Sequence, residues 1–337
     1  MVLRVIVSGS GAAASRQVSL IENIHPESRI GIWRRSPSSS IGNPRTQEMF
    51  SSEQVEDFGP EIAIISSPAS AHLEQASYLL GLGADVLVEK PLSTTLKGVA
   101  EVFNQALDSH SIIQVGYNLR YTKGLAELSR IINSGVLGKI QTVDIAVDQY
   151  LPDWRPNIDY RSSVSAQVAL GGGVLLELSH EIDYALFLFG DIEVDGAVLG
   201  KTSPLEIDVE DVVEVIGRVQ AGNHQSAILR IHLGMVSRAR KRYCEVSGSE
   251  GNVRWNGVAG TVEVFNAGLG VWQETFSDKR DISLSYERQL ADFIESSQQG
   301  FDPDKHRATA AHEIKVLETI ESIRARARVL GSKGGRE

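Results

Sequence analysis

Glu89-Lys90-Pro91 follows directly on the apolar run Val86 to Val88. A lysine at the carboxyl end of a parallel strand points into the crevice where a doubly wound sheet holds its dinucleotide. About eighty residues upstream the chain reads Gly9-Ser10-Gly11-Ala12-Ala13-Ala14. This G-x-G-x-x-A between an apolar run and a helical one fits dinucleotide binding. Gly9 permits a tight turn, Gly11 lets the backbone approach a pyrophosphate, and Ala14 allows close helix packing. Roughly twenty residues past such a turn an NAD site carries an acidic residue, but here the end of the second strand reads Trp33-Arg34-Arg35-Ser36. Two guanidinium forks with a neutral donor suit a 2′-phosphate, so NADP is expected over NAD. The alternative is a pair of solvated arginines on a loop.

The elements that must position these residues follow from the hydrophobic pattern. Strands are expected at 3–8, 29–33, 62–65, 86–88 and 112–115, with helices at 15–23, near 46–50, at 71–82 and at 96–109. Strand and helix alternating at this spacing imply βαβ units and a parallel sheet. The expected fold class is α/β: a Rossmann doubly wound domain over 1–120, then an α+β domain over 121–330 with a large, open, mainly antiparallel sheet. In that second part a helix at 125–134 precedes longer runs in which Val143, Ile145 and Val147, and later Val213, Val215 and Val219, alternate with polar neighbours. Such alternation suits a sheet with one covered and one wetter face. Strand candidates continue to Phe276, helices are expected at 284–297 and 308–329, and 331–337 reads as a disordered tail.

The 337 residues carry 33 Lys and Arg against 43 Asp and Glu, a formal net charge of -10. That balance argues against a nucleic-acid partner, because phosphate binding draws on clustered cations. Arg238 to Arg242 is the one local basic stretch, expected as a solvated edge. A single cysteine, Cys244, excludes an intrachain disulfide and a thiolate zinc site. No apolar stretch reaches the roughly 20 residues that cross a bilayer, so a cytoplasmic protein with no membrane partner is expected. His180-Glu181 with Asp183 lacks the H-E-x-x-H spacing of a zinc site, so no metal is expected.

The whole pattern resembles the Gfo/Idh/MocA oxidoreductases, NAD(P)-dependent sugar and cyclitol dehydrogenases. The resemblance rests on Gly9-Ser10-Gly11, Ser66-Ser67-Pro68 with His72, Glu89-Lys90-Pro91, Gly116 to Tyr121, and Gly171-Gly172-Gly173 leading to His180 and Asp183. It implies that Lys90 lies near the nicotinamide and the reacting hydroxyl and that His180 transfers the proton. It also places Ser67, Pro68, His72, Glu89, Lys90, Pro91 and Asn118 around the cofactor, with Arg120 toward the substrate. Hydride leaving a carbinol carbon must be matched by loss of the hydroxyl proton to a group with pKa near working pH. A helix after the three glycines would put Glu177 and His180 on one face, three residues apart, so the carboxylate could orient the imidazole. Many relatives place an aspartate four before the histidine, where this chain has Leu176; Glu177 or Asp183 would have to take its part. Trp154 and Tyr160 offer flat faces to a sugar ring, and Arg155 and Arg161 offer forks for a carboxylate or phosphate. Equally, these four could anchor their own loop.

The expected function is hydride transfer between nicotinamide and a secondary hydroxyl or keto carbon of a sugar, sugar acid or nucleotide sugar. Two alternatives stand beside it: transient redox with retained cofactor, driving elimination or glycoside cleavage, and a non-catalytic dinucleotide sensor. The open sheet is expected to be covered by a second copy of the chain, in a dimer or tetramer.

Overall fold

The computed structural model describes residues 2–34, 46–220 and 226–330. Arg35, Ser36, the link at 221–225 and the tail at 331–337 lie outside the described residues. The chain divides into two compact units. One holds the residues up to Tyr117 together with Tyr286–Ile314, and the other holds Asn118–Ser285 with the residues from Lys315 onward.

The first unit alternates strand and helix: β1 Arg4–Ser8, α1 Ala12–Ile24, β2 Arg29–Trp33, β3 Thr46–Met49, α2 Ser52–Phe58, β4 Ile62–Ile65, α3 His72–Gly81, β5 Asp85–Val88, α4 Val99–Ser109 and β6 Ile113–Val115. All six strands are parallel, in the order β3-β2-β1-β4-β5-β6. This is the doubly wound order, which opens a crevice at the carboxyl ends where β1 and β4 part direction. Val5, Ile6, Val7, Ile62 and Ile64 are 1% exposed or less, because helices cover both faces of a parallel sheet. On α1, Ala14, Val18 and Ile21 recur at helical spacing and enter that core. Leu290, Phe293 and Ile294, nearly three hundred residues along the chain, complete it.

One short element differs from the sequence expectation. Residues 46–49 form a strand, not a helix, pairing in parallel with β2 from Ile30 to Trp33. An isolated turn of helix costs more to nucleate than it returns, whereas the free edge of β2 satisfies the backbone of this segment.

The second unit begins with α5 Lys123–Asn133 and β7 Ile140–Asp148, followed by α6 Val174–Glu177, α7 His180–Phe189 and the strands β8 Ile192–Gly200, β9 Val212–Gln220, β10 Ser226–Gly234, β11 Lys241–Gly248, β12 Asn252–Asn256, β13 Thr261–Asn266 and β14 Val271–Ser277. Then come α8 Asp281–Gln299, α9 Pro303–Arg326 and β15 Ala327–Leu330; both helices run from one unit into the other. The sheet has nine strands in the order β14-β13-β12-β11-β7-β10-β9-β8-β15. It is antiparallel except at the β7–β10 and β8–β15 pairs. The expected helix at 308–329 therefore ends three residues early: Ala327–Leu330 joins β8 as an edge strand.

Alternation along β9 and β10 buries Val213, Val215, Val219, Leu229, Ile231 and Leu233. The opposite face carries Ile216, Ile228 and ion pairs of Arg218 with Glu193 and Asp195 and of Arg230 with Asp144.

Candidate active site

In the first unit the glycine turn lies at the carboxyl end of β1. Gly9 has φ +111°, a conformation that L side chains rarely adopt, and a Cβ there would lie 2.7 Å from the Ser66 carbonyl oxygen. Gly11 differs. It is the extended N-cap of α1, exposed, and a Cβ added to it would meet nothing within 4 Å. No side chain caps α1 and no acidic residue sits in its first turn. The helix thus presents uncompensated N–H donors and the positive end of its dipole over open space, between Ser10 and Ala13, which fits a pyrophosphate.

Two loops flank this turn. After β4, the Ser67 hydroxyl donates to Gln75 Oε1 at 2.8 Å, and the Ser8 hydroxyl donates to the same oxygen at 2.8 Å. After β5 come Glu89, Lys90 and Pro91, with a cis peptide between the last two. Glu89 is half-buried and turned toward α1, where Arg16 and Gln17 donate to its Oε1 at 2.8 and 2.9 Å. The Arg16 guanidinium also lies 4.0 Å over the Tyr286 ring. His72, expected at the cofactor, is 1% exposed and bonded to the Ser67 and Pro91 carbonyls. Lys90 itself is half-buried.

At the end of β2, Arg34 is buried and ion-paired with Glu48 of β3. A cavity of about 380 Å³ opens beside it, between Trp33, Phe50, Ala71, Gln75 and Tyr78, with the Trp33 and Tyr78 rings 5.4 Å apart. Another cavity, of about 450 Å³, lies at the opposite end of β6 near Phe301, Lys305 and His306, away from the glycine turn and Lys90.

In the second unit the three glycines make a compact turn. Gly173 has φ +103°, a conformation that L side chains rarely adopt, and a Cβ there would stand 2.6 Å from a Glu210 carboxylate oxygen. The following segment is not the continuous helix expected from sequence. It breaks at Leu178, with φ -106° and ψ 26°, into α6 and α7. Glu177 therefore closes α6 and accepts from the Ser165 hydroxyl at 2.7 Å, while His180 opens α7 and is 7% exposed. Asp183 is completely buried and accepts a two-pronged bond from Arg120. The residue expected to bind substrate and the one expected to tune the histidine thus engage each other. Asn118 is likewise buried, donating to the Ser285 hydroxyl at 2.7 Å.

Among the four loop residues, the Trp154 indole donates to the Gln149 carbonyl at 2.8 Å and the Tyr160 hydroxyl accepts from the Glu206 amide. Arg161 pairs with Asp159 and Glu206, and Arg155 is exposed. Trp154 and Arg161 thus brace their own segment, and Tyr160 and Arg161 tie it to Glu206. Among the described residues, no group of three or more His, Cys, Asp or Glu side chains is placed to hold a metal ion, and no helix is long and apolar enough to cross a membrane.

Sequence reasoning missed Gln17, Arg16, Gln75, Glu48 and Ser165. Gln17 alone left a usable signal: it interrupts the buried stripe of Ala14, Val18 and Ile21, where a polar side chain needs a partner.

Residues 3–117 match a family described as an oxidoreductase family with an NAD-binding Rossmann fold, and residues 125–254 match the Gfo/Idh/MocA C-terminal domain. The chain belongs to the Gfo/Idh/MocA oxidoreductase family. It is 25% identical over 272 residues to the myo-inositol 2-dehydrogenase of Thermotoga maritima, covering 74% of this chain and 73% of that one. To the inositol 2-dehydrogenase of Acidiphilium cryptum it is 24% identical over 318 residues, covering 89% and 87%. Other curated relatives are matched over 37% to 64% of their length, among them the levoglucosan dehydrogenase of Pseudarthrobacter phenanthrenivorans, 26% identical over 170 residues and matched over 50% of this chain and 43% of that one. Among solved structures, a 3-ketoreductase from Actinomadura kijaniata in complex with NADP and TDP-benzene shares the fold, with a TM-score of 0.78 at 20% identity over 98% of this chain and 99% of that one. A levoglucosan dehydrogenase in complex with NADH gives 0.79 at 19% identity over 97% of each.

Proposed function

We propose that this family member transfers hydride between NAD(P) and a secondary hydroxyl or keto carbon of a sugar, cyclitol or sugar derivative. The observation that carries the reading is the crevice of the first unit: an uncapped α1 over an open Gly11, with Lys90 fixed on a neighbouring loop at the same edge of the sheet. The residues Gly9 to Ala13 would hold the pyrophosphate, and the cavity between Trp33 and Tyr78 would take the adenosine end. When bound, the nicotinamide supplies the hydride acceptor or donor. His180 takes the hydroxyl proton as a base and returns it in the reverse direction. Lys90 orients the oxygen and stabilises developing alkoxide charge. NADP is the preferred form on Arg34, Arg35 and Ser36; because Glu48 already holds Arg34, that preference rests mainly on the other two. A second copy of the chain covers the outer sheet face around Ile216 and Ile228, and light scattering at the monomer mass would remove this part of the proposal.

The test is nicotinamide absorbance with each cofactor against a panel of cyclitols, free sugars, sugar acids and nucleotide sugars. Turnover of at least one compound, lost in Lys90→Ala and in His180→Ala, is expected. No turnover across the panel, or full activity in both variants, would overturn the reading.

A further inference from the structure

The Lys90 segment is tied down on both sides of the lysine. Before it, the Glu89 amide donates to the Ile65 carbonyl at 2.8 Å, and the Glu89 carboxylate is held by Arg16 and Gln17 of the glycine-turn helix. After it, the Pro91 carbonyl lies 2.8 Å from His72 Nδ1, and the other ring nitrogen lies 2.8 Å from the Ser67 carbonyl. A neutral imidazole has one N–H and can serve one carbonyl; serving both takes the protonated ring. Burial pulls the pKa of His72 down, and the two carbonyls with the Glu89 carboxylate oppose it. The geometry places the ring between the loop after β4 and the loop after β5, with each nitrogen 2.8 Å from a carbonyl of a different loop.

We infer that His72 is a positioning residue for Lys90: it joins the Pro91 carbonyl to the Ser67 loop and so sets where the ammonium stands relative to the dinucleotide crevice. The inference rests on the reading that Lys90 handles the reacting oxygen. It assigns His72 no contact with cofactor or substrate, in contrast to the cofactor role expected from sequence. Asparagine in its place can still put a donor where Nδ1 faces the Pro91 carbonyl but is too short to reach the Ser67 carbonyl, which cuts the Pro91 end loose from the Ser67 loop while Glu89 stays anchored.

The experiment is a kinetic double-mutant cycle on the full chain with its best substrate from the panel. His72→Asn should lower kcat by about 10- to 100-fold, the scale of an ångström-sized misplacement, while the dinucleotide Kd from nicotinamide fluorescence changes by less than about threefold. In a Lys90→Ala background, His72→Asn should lower kcat no further. Losses that multiply would overturn the inference, since His72 would then act independently of Lys90, and so would a kcat that His72→Asn leaves unchanged. If Lys90→Ala alone keeps full kcat, the reading of Lys90 fails first and the inference falls with it. Should His72→Asn not fold, 15N spectra of the unaltered chain decide: both His72 ring nitrogens hydrogen-bonded in the dinucleotide complex supports the bridge, and either ring nitrogen without a hydrogen bond refutes it.

Discussion

Two glycines two residues apart separate folding from binding. Gly9→Ala forces an L residue to φ +111° and sets its Cβ 2.7 Å from the Ser66 carbonyl oxygen and 2.9 Å from its carbon. The backbone strain costs about 1–2 kcal/mol and the forced contact about 1–3 kcal/mol, together about 2–5 kcal/mol. With a urea dependence of about 2 kcal/mol per molar, the unfolding midpoint should fall by about 1–2.5 M. Gly11→Ala meets neither obstacle: φ is -94°, ψ is -174° and nothing lies within 4 Å. Alanine is a poorer N-cap than glycine by several tenths of a kcal/mol, and the unfolded chain loses about 0.4–1 kcal/mol of conformational freedom in compensation. The midpoint should therefore stay put. The new methyl occupies the space a pyrophosphate would approach, so the dinucleotide Kd should rise at least about tenfold, or ~1.4 kcal/mol. Urea melts followed by circular dichroism, paired with fluorescence titrations of NADPH and NADH, read both quantities. An unchanged midpoint for Gly9→Ala would refute the packing argument, and wild-type binding by Gly11→Ala would refute the phosphate cradle.

Replacing Arg120 with Met leaves the Asp183 carboxylate, 0% exposed, without its guanidinium partner; removing one member of a buried pair costs about 3–5 kcal/mol, and a denaturant melt unchanged by this substitution would contradict the pairing. His232 lies between Glu214 and Asp148, with ring nitrogens 2.5 and 3.1 Å from their carboxylates, and the hydrogen bond to Asp148, more than that to Glu214, raises its pKa above the usual histidine value. Its stabilisation is thus complete below pH of about 6.5 and is lost as pH rises through the higher folded value. Urea midpoints across that window should decline in the wild type and flatten in His232→Gln; equal slopes would exclude the ring. Cys244 is fully buried and its thiol pKa is pushed far upward by burial, so a disulfide reagent should titrate one thiol only in denaturant, and rapid reaction of the native chain would disprove its burial.

Much of the first unit was legible in its apolar runs. Strands buried on both faces carry uninterrupted apolar runs, as β1 does over Val5 to Val7, β4 over Ile62 to Ile65 and β5 over Val86 to Val88. Glu89-Lys90-Pro91 and the glycine turn advertised themselves by lying where such strands end. Residues 46–49 did not, because a four-residue edge strand takes its conformation from the neighbour it pairs with. The break between α6 and α7 was equally hidden: neither Leu178 nor Ser179 is a residue that local propensity marks as a helix stop.

The sequence by itself determined most of the element order, the crevice edge and the residue types able to handle a proton. Only the tertiary structure decided how the polar side chains were spent. Arg34 went to Glu48, Arg120 to Asp183, Glu177 to Ser165, and His72 to two carbonyls. Partners such as Arg120 and Asp183, 63 residues apart, are chosen by strand order and helix packing, to which local propensity is blind. A buried charge or hydrogen-bonding group must find whatever partner that packing brings within reach.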